Sequence, residues 1–424
     1  MPELSTPAVH PVVMSTLLLL LSSCNGVPRL PSDDLLHHPR RAGRRFAEPI
    51  ITSEEQKSEV AEKVRRVREL LARTGKAGLL LTRETTFSWI TAGGENFIVH
   101  ATADAFAKVL ITSAKVVLIC NNIEAPRLER EVVSGLGFDV EVFKYFEKEE
   151  EERRIARYCP DPASVLTDAA NPGGHAALAS TDLMGLLFPL TESELERYRW
   201  LGHKCSEVIE TVAEIVRPGM TELDLQYLLA REFWYWDIFP TVNLASVDHR
   251  VRTFKHPFPN GATLQKYVNL NVCVRRWGMI ISMSRLMHFG EPDEELKRVY
   301  KVGAQVMAAM LNATKVGNRF QDVLDANVKA YADGGYPDEW QRHLQGGPIL
   351  TAERIVLLRH EPEIRFTNGM ALAYNPTCNG SKHEDTFLVT DQGIEMLTPC
   401  IRWPTKTVRI DGKEYRVPDL KVIR

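Results

Sequence analysis

The stretch VNLNVCVRRWGMIISMSR, residues 268–285, decides the fold of this chain. Two apolar runs, residues 267–274 and 279–282, lie on either side of a short segment that ends at Gly278. Runs of this length, rich in β-branched residues and separated by turn-forming residues, are typical of neighbouring strands. The stretch therefore predicts a pair of strands at the centre of a domain.

Helices and further strands surround this predicted strand pair. An amphipathic run begins with Thr191 and Glu194, which have the spacing of a capping box. Pro218 and Gly219 end that predicted helix, and Thr221 caps the next one. The remaining predictions are a helix at residues 292–313, strands at residues 370–374 and 384–389, and a hairpin turn at Asp411 and Gly412. This mixture predicts an α+β domain.

The part of the chain before this domain alternates between helical and strand-like patterns. Residues 53–74 carry apolar residues at helical spacing, and short apolar runs separated by polar residues follow to about residue 165. Such alternation is typical of an α/β domain. We predict an extension at residues 1–50, an α/β domain at 51–185, the α+β domain at 186–402 and a tail at 403–424.

Composition places the chain among globular proteins and disfavours several classes of function. Of its 424 residues, 44% are hydrophobic and 25% are charged. No segment of the predicted domains approaches the roughly 18 uninterrupted apolar residues of a membrane span, so no mature span is expected. A formal net charge of -3, with both signs mixed along most of the chain, gives no electrostatic reason to expect a nucleic acid. A small neutral or zwitterionic substrate fits better.

The N-terminal extension has features of a targeting segment. Residues 12–23, VVMSTLLLLLSS, form a short apolar run that no Lys or Arg precedes, and four arginines follow at residues 40–45. The apolar run is typical of a secretory signal and the arginines of an organelle transit peptide, so localisation stays open between these and an extension without a targeting role.

The seven cysteines contain no CxxC pair and predict free thiols in a reducing compartment.

Five segments occur in an order that is typical of one family. They are AGLLLTRETTFSWITAGG (77–94), VRPGMTELDL (216–225), the strand pair at 268–285, GMALAYNP (369–376) and GSKHEDTFLVTDQGIEMLT (380–398). Together they resemble the pita-bread family that includes creatinase, prolidase and aminopeptidase P. The resemblance covers about residues 55–400 and implies a C-terminal pita-bread domain preceded by a smaller creatinase-type α/β domain.

The metal-dependent members of that family bind two divalent ions. Two Asp on the strand pair, a His on a loop and a Glu on each of the last two strands bind the ions, and four carboxylates balance their four positive charges. In this sequence those positions fall at Asn271, Ser282, Gly346 or a neighbour, Asn375 and Glu384. Because one carboxylate of four remains, the resemblance implies neither a dinuclear metal site nor a cofactor.

Creatinase works without metal, and its pattern resembles this chain more closely. Asn271, Ser282 and Arg285 match its strand pair, and the His that serves there as general acid and base falls at His256, in TFKHPFPNG. A neutral imidazole is suited to proton transfer near pH 7 because its unperturbed pKa is about 6.5. A carboxylate of creatinase is replaced by Ser284, which argues against creatine as the substrate.

These resemblances imply a set of candidate site residues. The candidate catalytic residues are His256 and Glu384, and the candidate substrate-binding residues are Asn271, Ser282, Arg285, Gln345 and Asn375. Substitute ligands for a relocated single-metal site lie nearby in the sequence, at His343, His360, Glu361 and His383.

Three functions stay open on this reading. The first is a metal-independent hydrolase or lyase that cleaves a C–N bond of a small nitrogenous molecule, with His256 moving the proton. The alternative is a catalytically inactive pseudo-peptidase that keeps the cavity for ligand binding or as a scaffold. The third is an Xaa-Pro aminopeptidase-like metallopeptidase with relocated ligands. Family members pair into dimers, so the resemblance also implies a homodimer.

Overall fold

The computed structural model describes residues 47–147, 149–169 and 173–424. The predicted targeting features and Cys24 lie outside the described residues. Across the described ranges, no helix is both long and apolar enough to cross a membrane. The six cysteines in these ranges are unpaired, and all but Cys400 are buried.

The N-terminal part of the structure is an α/β arrangement, as predicted. Its helices are α1 (Ser53–Thr74), α2 (Glu84–Ile90), α3 (Ala125–Arg127), α4 (Glu149–Tyr158) and α5 (Ser180–Leu187), with a π-helical turn at Leu128–Val132 and a 3₁₀ turn at Pro162–Ser164. Its strands are β1 (Gly78–Arg83), β2 (Asp104–Thr112), β3 (Val116–Asn121), β4 (Asp139–Phe143), β5 (Val165–Thr167) and β6 (Ala176–Ala177). Within the described residues these strands form a mixed six-stranded sheet in the order β4-β3-β2-β1-β5-β6.

Helix α1 has the limits that its sequence predicts. Thr52 accepts a hydrogen bond from the Glu55 backbone amide, and the Glu55 carboxylate accepts one from the Thr52 amide, which completes a capping box. Gly75 ends the helix in the left-handed conformation, with φ 65°. The apolar face of the helix, which includes Val67 and Leu70, is buried in the core.

The C-terminal part is α+β, as predicted, and the two strands of its hairpin are longer than the sequence indicates. Its helices are α6 (Glu192–Ile215), α7 (Glu222–Tyr235), α8 (His249–Thr253), α9 (Glu294–Ala313) and α10 (Phe320–Asp333), with a 3₁₀ turn at Glu339–Arg342. Its strands are β7 (Phe239–Val247), β8 (Tyr267–Arg276), β9 (Met279–Phe289), β10 (Gly346–Pro348), β11 (Ala371–Tyr374), β12 (Thr377–Cys378), β13 (Ser381–Lys382), β14 (Asp385–Thr390), β15 (Gly393–Met396), β16 (Thr405–Ile410), β17 (Lys413–Pro418) and β18 (Lys421–Ile423).

Two four-stranded sheets build the centre of this part. Their orders are β18-β9-β8-β7 and β10-β11-β14-β15. Strands β8 and β9 form the predicted antiparallel hairpin, in which Asn271 lies opposite Ser284 and Cys273 opposite Ser282. Since side chains alternate along a strand, these four lie on one face of the sheet, and the adjacent Arg285 lies on the other face.

Buried ions and close backbone contacts join the two parts. Lys63 Nζ on α1 lies 2.6 Å from Glu59 Oε1 and 2.7 Å from Glu194 Oε1 on α6. Arg197 Nη2 on α6 lies 2.6 Å from the same Glu59 carboxylate. At the β8–β9 turn, Gly278 has φ 71°, and a Cβ built there would lie 2.4 Å from Ser88 Cβ on α2. Both parts belong to one compact unit, Phe46–Arg424.

Glu95 lies in the loop that follows α2, close to the same hairpin. Its Oε2 is buried without a hydrogen-bond partner. Burial raises the pKa of Glu95 to about 7, although the positive charge of Arg275 opposes the change. The Glu95 carboxyl group is therefore poised to ionise near neutral pH inside the structure.

Candidate active site

Strand β14 lies against β9 at the point where the polar residues of the hairpin face inward. The Ser284 amide donates a hydrogen bond to the Glu384 carbonyl oxygen, at 3.0 Å. The Ser282 amide donates to Thr386 Oγ1 at 3.0 Å, and that hydroxyl donates to the Ser282 carbonyl oxygen at 2.9 Å. These contacts bring the side chains of Asn271 and Glu384 together.

Glu384 is the central carboxylate of the site, and it is 4% exposed. Its Oε2 accepts hydrogen bonds from Asn271 Nδ2 at 2.7 Å and Ser284 Oγ at 3.0 Å. Lys382 Nζ lies 2.9 Å from the same oxygen, and Arg354 Nη2 lies 3.3 Å from Oε1. Burial acts to raise the pKa of Glu384, but the charges of Lys382 and Arg354 outweigh it and lower the pKa to about 2. Glu384 is therefore ionised at neutral pH.

Lys382 and Arg354 are cations with buried side chains. Together they contact the side chains at all four positions where the metal-dependent family members carry Asp or Glu. Lys382 Nζ bonds Glu384 and also donates to Asn271 Oδ1 at 3.1 Å. Arg354 Nη2 donates to Asn375 Oδ1 at 3.1 Å, and its Nη1 donates to Ser282 Oγ at 3.4 Å. The side chains of Lys382 and Arg354 are 6% and 8% exposed. Their two positive charges face one carboxylate, so this part of the site has an excess of one positive charge.

A pair of histidines lies beside Asn375. His343 Nδ1 is 3.3 Å from Asn375 Nδ2, and His343 Nε2 is 3.2 Å from His256 Nε2. Burial and then the charge of Lys382 lower the pKa of His343 to about 3. Burial and then the charge of Lys382 also lower the pKa of His256. Unlike His343, His256 is exposed at the surface. Both imidazoles are therefore neutral at pH 7.

Comparison with known proteins identifies the domain that holds this site. The sequence model of metallopeptidase family M24 matches residues 196–391. The chain carries an M24 domain with the pita-bread fold. An uncharacterized peptidase of Staphylococcus haemolyticus is 26% identical over 223 residues, which are 49% of this chain and 61% of that relative. The match thus spans less than two thirds of the relative's length.

Solved structures share the fold of this chain. The Xaa-Pro dipeptidase from Bacillus anthracis superimposes with a TM-score of 0.66 at 17% identity, over 86% of this chain and 100% of the dipeptidase. The N-terminal domain of a FACT complex subunit from Cicer arietinum superimposes with a TM-score of 0.63 at 11% identity, over 81% and 96% of the two chains. At these identities the likeness shows the fold alone.

The donor set of this M24 domain does not fit a dinuclear metal centre. Ser282 and the amides of Asn271 and Asn375 offer neutral oxygens, which cannot balance the charge of divalent ions. The internal cations Lys382 and Arg354 already bond these oxygens and both Glu384 oxygens. Within the residues that the structure describes, no group of three or more His, Cys, Asp or Glu side chains is arranged to hold a metal ion.

The side chains of two predicted site residues do not take part in this cluster of side-chain contacts. Arg285 Nη1 pairs with Asp385 Oδ1 at 2.9 Å on the opposite face of β9, where both side chains are fully buried. Gln345 donates to the carbonyl oxygens of His343 at 2.8 Å and Trp340 at 3.1 Å, so it holds the loop that carries His343. The other predicted residues, Asn271, Ser282, Asn375, Glu384 and His256, lie along one chain of contacts.

Three residues of the cluster lie outside the predicted catalytic and substrate-binding set. The predicted histidine position at Gly346 lies in β10, paired with Tyr374, and it is His343 that reaches Asn375. Lys382 lies two residues before Glu384, a spacing that places both on one face of an extended segment and indicates a basic neighbour able to pair with that carboxylate. Arg354 lies in a loop without regular structure, and no sequence pattern points to it.

Two cavities adjoin the site. A cavity of about 500 Å³ lies between the two parts of the chain and is lined in part by Arg275, Phe239 and Glu353. Arg275 lies on the same strand face as Asn271, and Glu353 precedes Arg354, so this cavity lies next to the cluster. A second cavity, of about 200 Å³, is lined by His343, Trp340 and Leu358.

Proposed function

We propose that this M24 domain is a metal-independent hydrolase or lyase that cleaves a C–N bond of a small nitrogenous substrate. The observation that carries the proposal is the pair of internal cations, Lys382 and Arg354, at the four positions where metal-dependent relatives need carboxylates. With one carboxylate against two cations, a divalent ion entering the cluster would meet an excess of positive charge. Uncompensated charge in a buried site costs several kcal/mol per ion.

In this proposal His256 transfers the proton. It is the residue of the histidine pair that reaches solvent, and its lowered pKa leaves it neutral and able to accept a proton at pH 7. Glu384, whose pKa is about 2, does not exchange protons near neutral pH and serves to orient groups around it. Asn271 and Ser282 offer hydrogen bonds to the substrate.

Metal analysis and a matched pair of histidine variants test this function. Purified protein should contain well under one divalent ion per chain, and chelation should leave activity on a screened panel of small amides, amidines and guanidines unchanged. His256→Ala should lower kcat by at least about 100-fold, the usual contribution of acid–base catalysis. The control is His249→Ala, an exposed histidine of α8 that no described contact links to the cluster side chains. Stoichiometric metal, or full activity of His256→Ala, would refute the proposal.

A second function is a binding or scaffold domain without catalysis. Both oxygens of Glu384 are already bonded to cations or hydrogen-bond donors, which favours a fixed structural role over a reactive one. One solved structure with this fold is named as part of a complex subunit, and its name assigns no peptidase activity. Ligand binding that His256→Ala leaves unchanged, with no turnover by the wild type, would support this function. A relocated metallopeptidase would instead lose activity on chelation.

We also propose that the chain forms a homodimer, as the resemblance to dimeric family members implies. Light scattering coupled to size-exclusion chromatography should give about twice the chain mass of 47.9 kDa. A mass equal to one chain at micromolar concentration would contradict the dimer.

A further inference from the structure

The histidine pair is connected to Arg354 by an uninterrupted chain of side-chain contacts. Arg354 Nη2 lies 3.1 Å from Asn375 Oδ1, and Asn375 Nδ2 lies 3.3 Å from His343 Nδ1. His343 Nε2 then lies 3.2 Å from His256 Nε2. Asn375 is 3% exposed and His343 is 9% exposed, so water has little access to these inner contacts.

The hydrogen bond between Arg354 and Asn375 has a fixed direction. A guanidinium group has donors and no acceptor, so the Asn375 atom that faces Arg354 must be the amide oxygen. The amide nitrogen of Asn375 therefore faces His343 and must donate, because an amide nitrogen has no lone pair to offer. His343 Nδ1 accepts that hydrogen bond and so carries no proton.

This direction sets the tautomers of both histidines. A neutral imidazole carries one proton, so His343 must carry it on Nε2, which points at His256 Nε2. His256 Nε2 accepts, and the proton of His256 then lies on Nδ1. The two nitrogens that face each other are consequently unlike, since one is a donor and the other is a lone pair.

We infer that Arg354 and Asn375 are positioning residues that fix His343 as the hydrogen-bond donor and His256 as the proton acceptor of one acid–base pair. A substrate group that enters between the rings meets a base on the His256 side and a donor on the His343 side. This inference rests on the proposed function for its meaning in catalysis, whereas the tautomers themselves exist without any substrate. The lone pair that the proposed base needs therefore lies on His256 Nε2, the nitrogen that faces His343.

Nuclear magnetic resonance of the ring nitrogens tests the inference in the full-length protein. In ¹⁵N-histidine-labelled protein at pH 7, protonated and unprotonated ring nitrogens resonate far apart, and the His256→Gln and His343→Gln variants assign the signals. We expect the Nε2–H tautomer of His343 and the Nδ1–H tautomer of His256 each to outnumber the other neutral tautomer by at least about 10:1. The opposite tautomers would leave buried hydrogen-bond donors and acceptors unpaired. Averaged signals, or His256 as the Nε2–H form, would overturn the inference.

The variant Asn375→Asp should reverse both tautomers. A carboxylate can only accept, so it would take a hydrogen bond from His343 Nδ1–H and make His343 Nε2 the acceptor. His256 would then carry its proton on Nε2. Tautomers that Asn375→Asp leaves as in the wild type would also overturn the inference, and the wild-type spectrum decides alone if this variant does not fold. Failure of the proposed function would be seen instead as full activity of His256→Ala, while the wild-type tautomers stay as described.

Discussion

Replacing Lys382 by Met should destabilise the protein strongly and in a pH-dependent way. Lys382 Nζ lies 2.9 Å from Glu384 Oε2 and 3.1 Å from Asn271 Oδ1, and neither member of the ion pair has more than 6% of its side chain exposed. Methionine fills a similar volume without a charge. The variant thus leaves the buried carboxylate with Arg354 as its nearest remaining cation, at 3.3 Å.

The expected magnitude follows from the pKa of Glu384. Its decrease from 4.5 to about 2 corresponds to roughly 3 kcal/mol of folding stability at neutral pH. Breaking a buried pair by removing one partner costs about 3–5 kcal/mol, and the remaining contact with Arg354 places this case near the lower value. Because the folded-state pKa is lowered, this stabilisation is present above about pH 4.5 and is lost as pH falls toward 2.

Urea denaturation at pH 7 and pH 3 measures the effect. Lys382→Met should lose about 3 kcal/mol of unfolding free energy at pH 7, and the difference from wild type should shrink at pH 3, which lies between the folded-state pKa of Glu384, about 2, and its unfolded-state value of 4.5. A double-mutant cycle with Glu384→Gln should give a coupling of about 2 kcal/mol. The control, Lys329→Met, breaks an exposed pair with Asp333 and should have little effect. A loss below about 1 kcal/mol, or a coupling near zero, would show that Lys382 does not compensate Glu384.

Two further predictions concern the contacts between the parts of the chain. Gly278→Ala should cost about 3 kcal/mol, because φ is 71° and the new Cβ would lie 2.4 Å from a side-chain carbon of α2. Gly412→Ala, with φ 77° and open space around it, should cost about 1 kcal/mol in the same urea titration, and equal losses would contradict the packing argument. Glu95→Gln should stabilise the protein by about 3 kcal/mol at pH 8 and by little at pH 4.5. The reason is that the raised pKa of Glu95 makes the wild type lose stability as pH rises from 4.5 through 7. Denaturation at the two pH values checks this, and a stabilisation independent of pH would refute it.

Much of the fold could be predicted from local signals in the sequence. The capping box at Thr52 and Glu55 and the terminal Gly75 define α1 without reference to the rest of the chain. The hairpin around Gly278 was predicted because its strands are apolar and its turn needs a positive φ. Strand β7 was not predicted, because its first six residues are all only partly buried and the segment lacks a clear alternation. Its pairing with β8 is a tertiary contact that local patterns do not encode.

The site could be predicted only where its residues lie on regular elements. Asn271 and Ser282 lie in β8 and β9, and Glu384 directly precedes β14, so the packing of these strands brings together three residues that the resemblance had grouped. Arg354 and His343 lie in loops, where spacing along the sequence carries little information about direction in space. The partners of Glu384 come from segments up to 113 residues apart, and their contacts exist only after the sheets have formed.

The internal cations also limit how this site can change in evolution. A single substitution such as Asn271→Asp would place a new carboxylate about 3 Å from Lys382, where it would form a second ion pair before it could attract a metal ion. If several carboxylates were introduced while both cations remained, the positive charges of Lys382 and Arg354 would offset part of the new negative charge. While Lys382 and Arg354 remain, no single substitution of this kind creates a dinuclear centre, and the first productive step would be the loss of a cation.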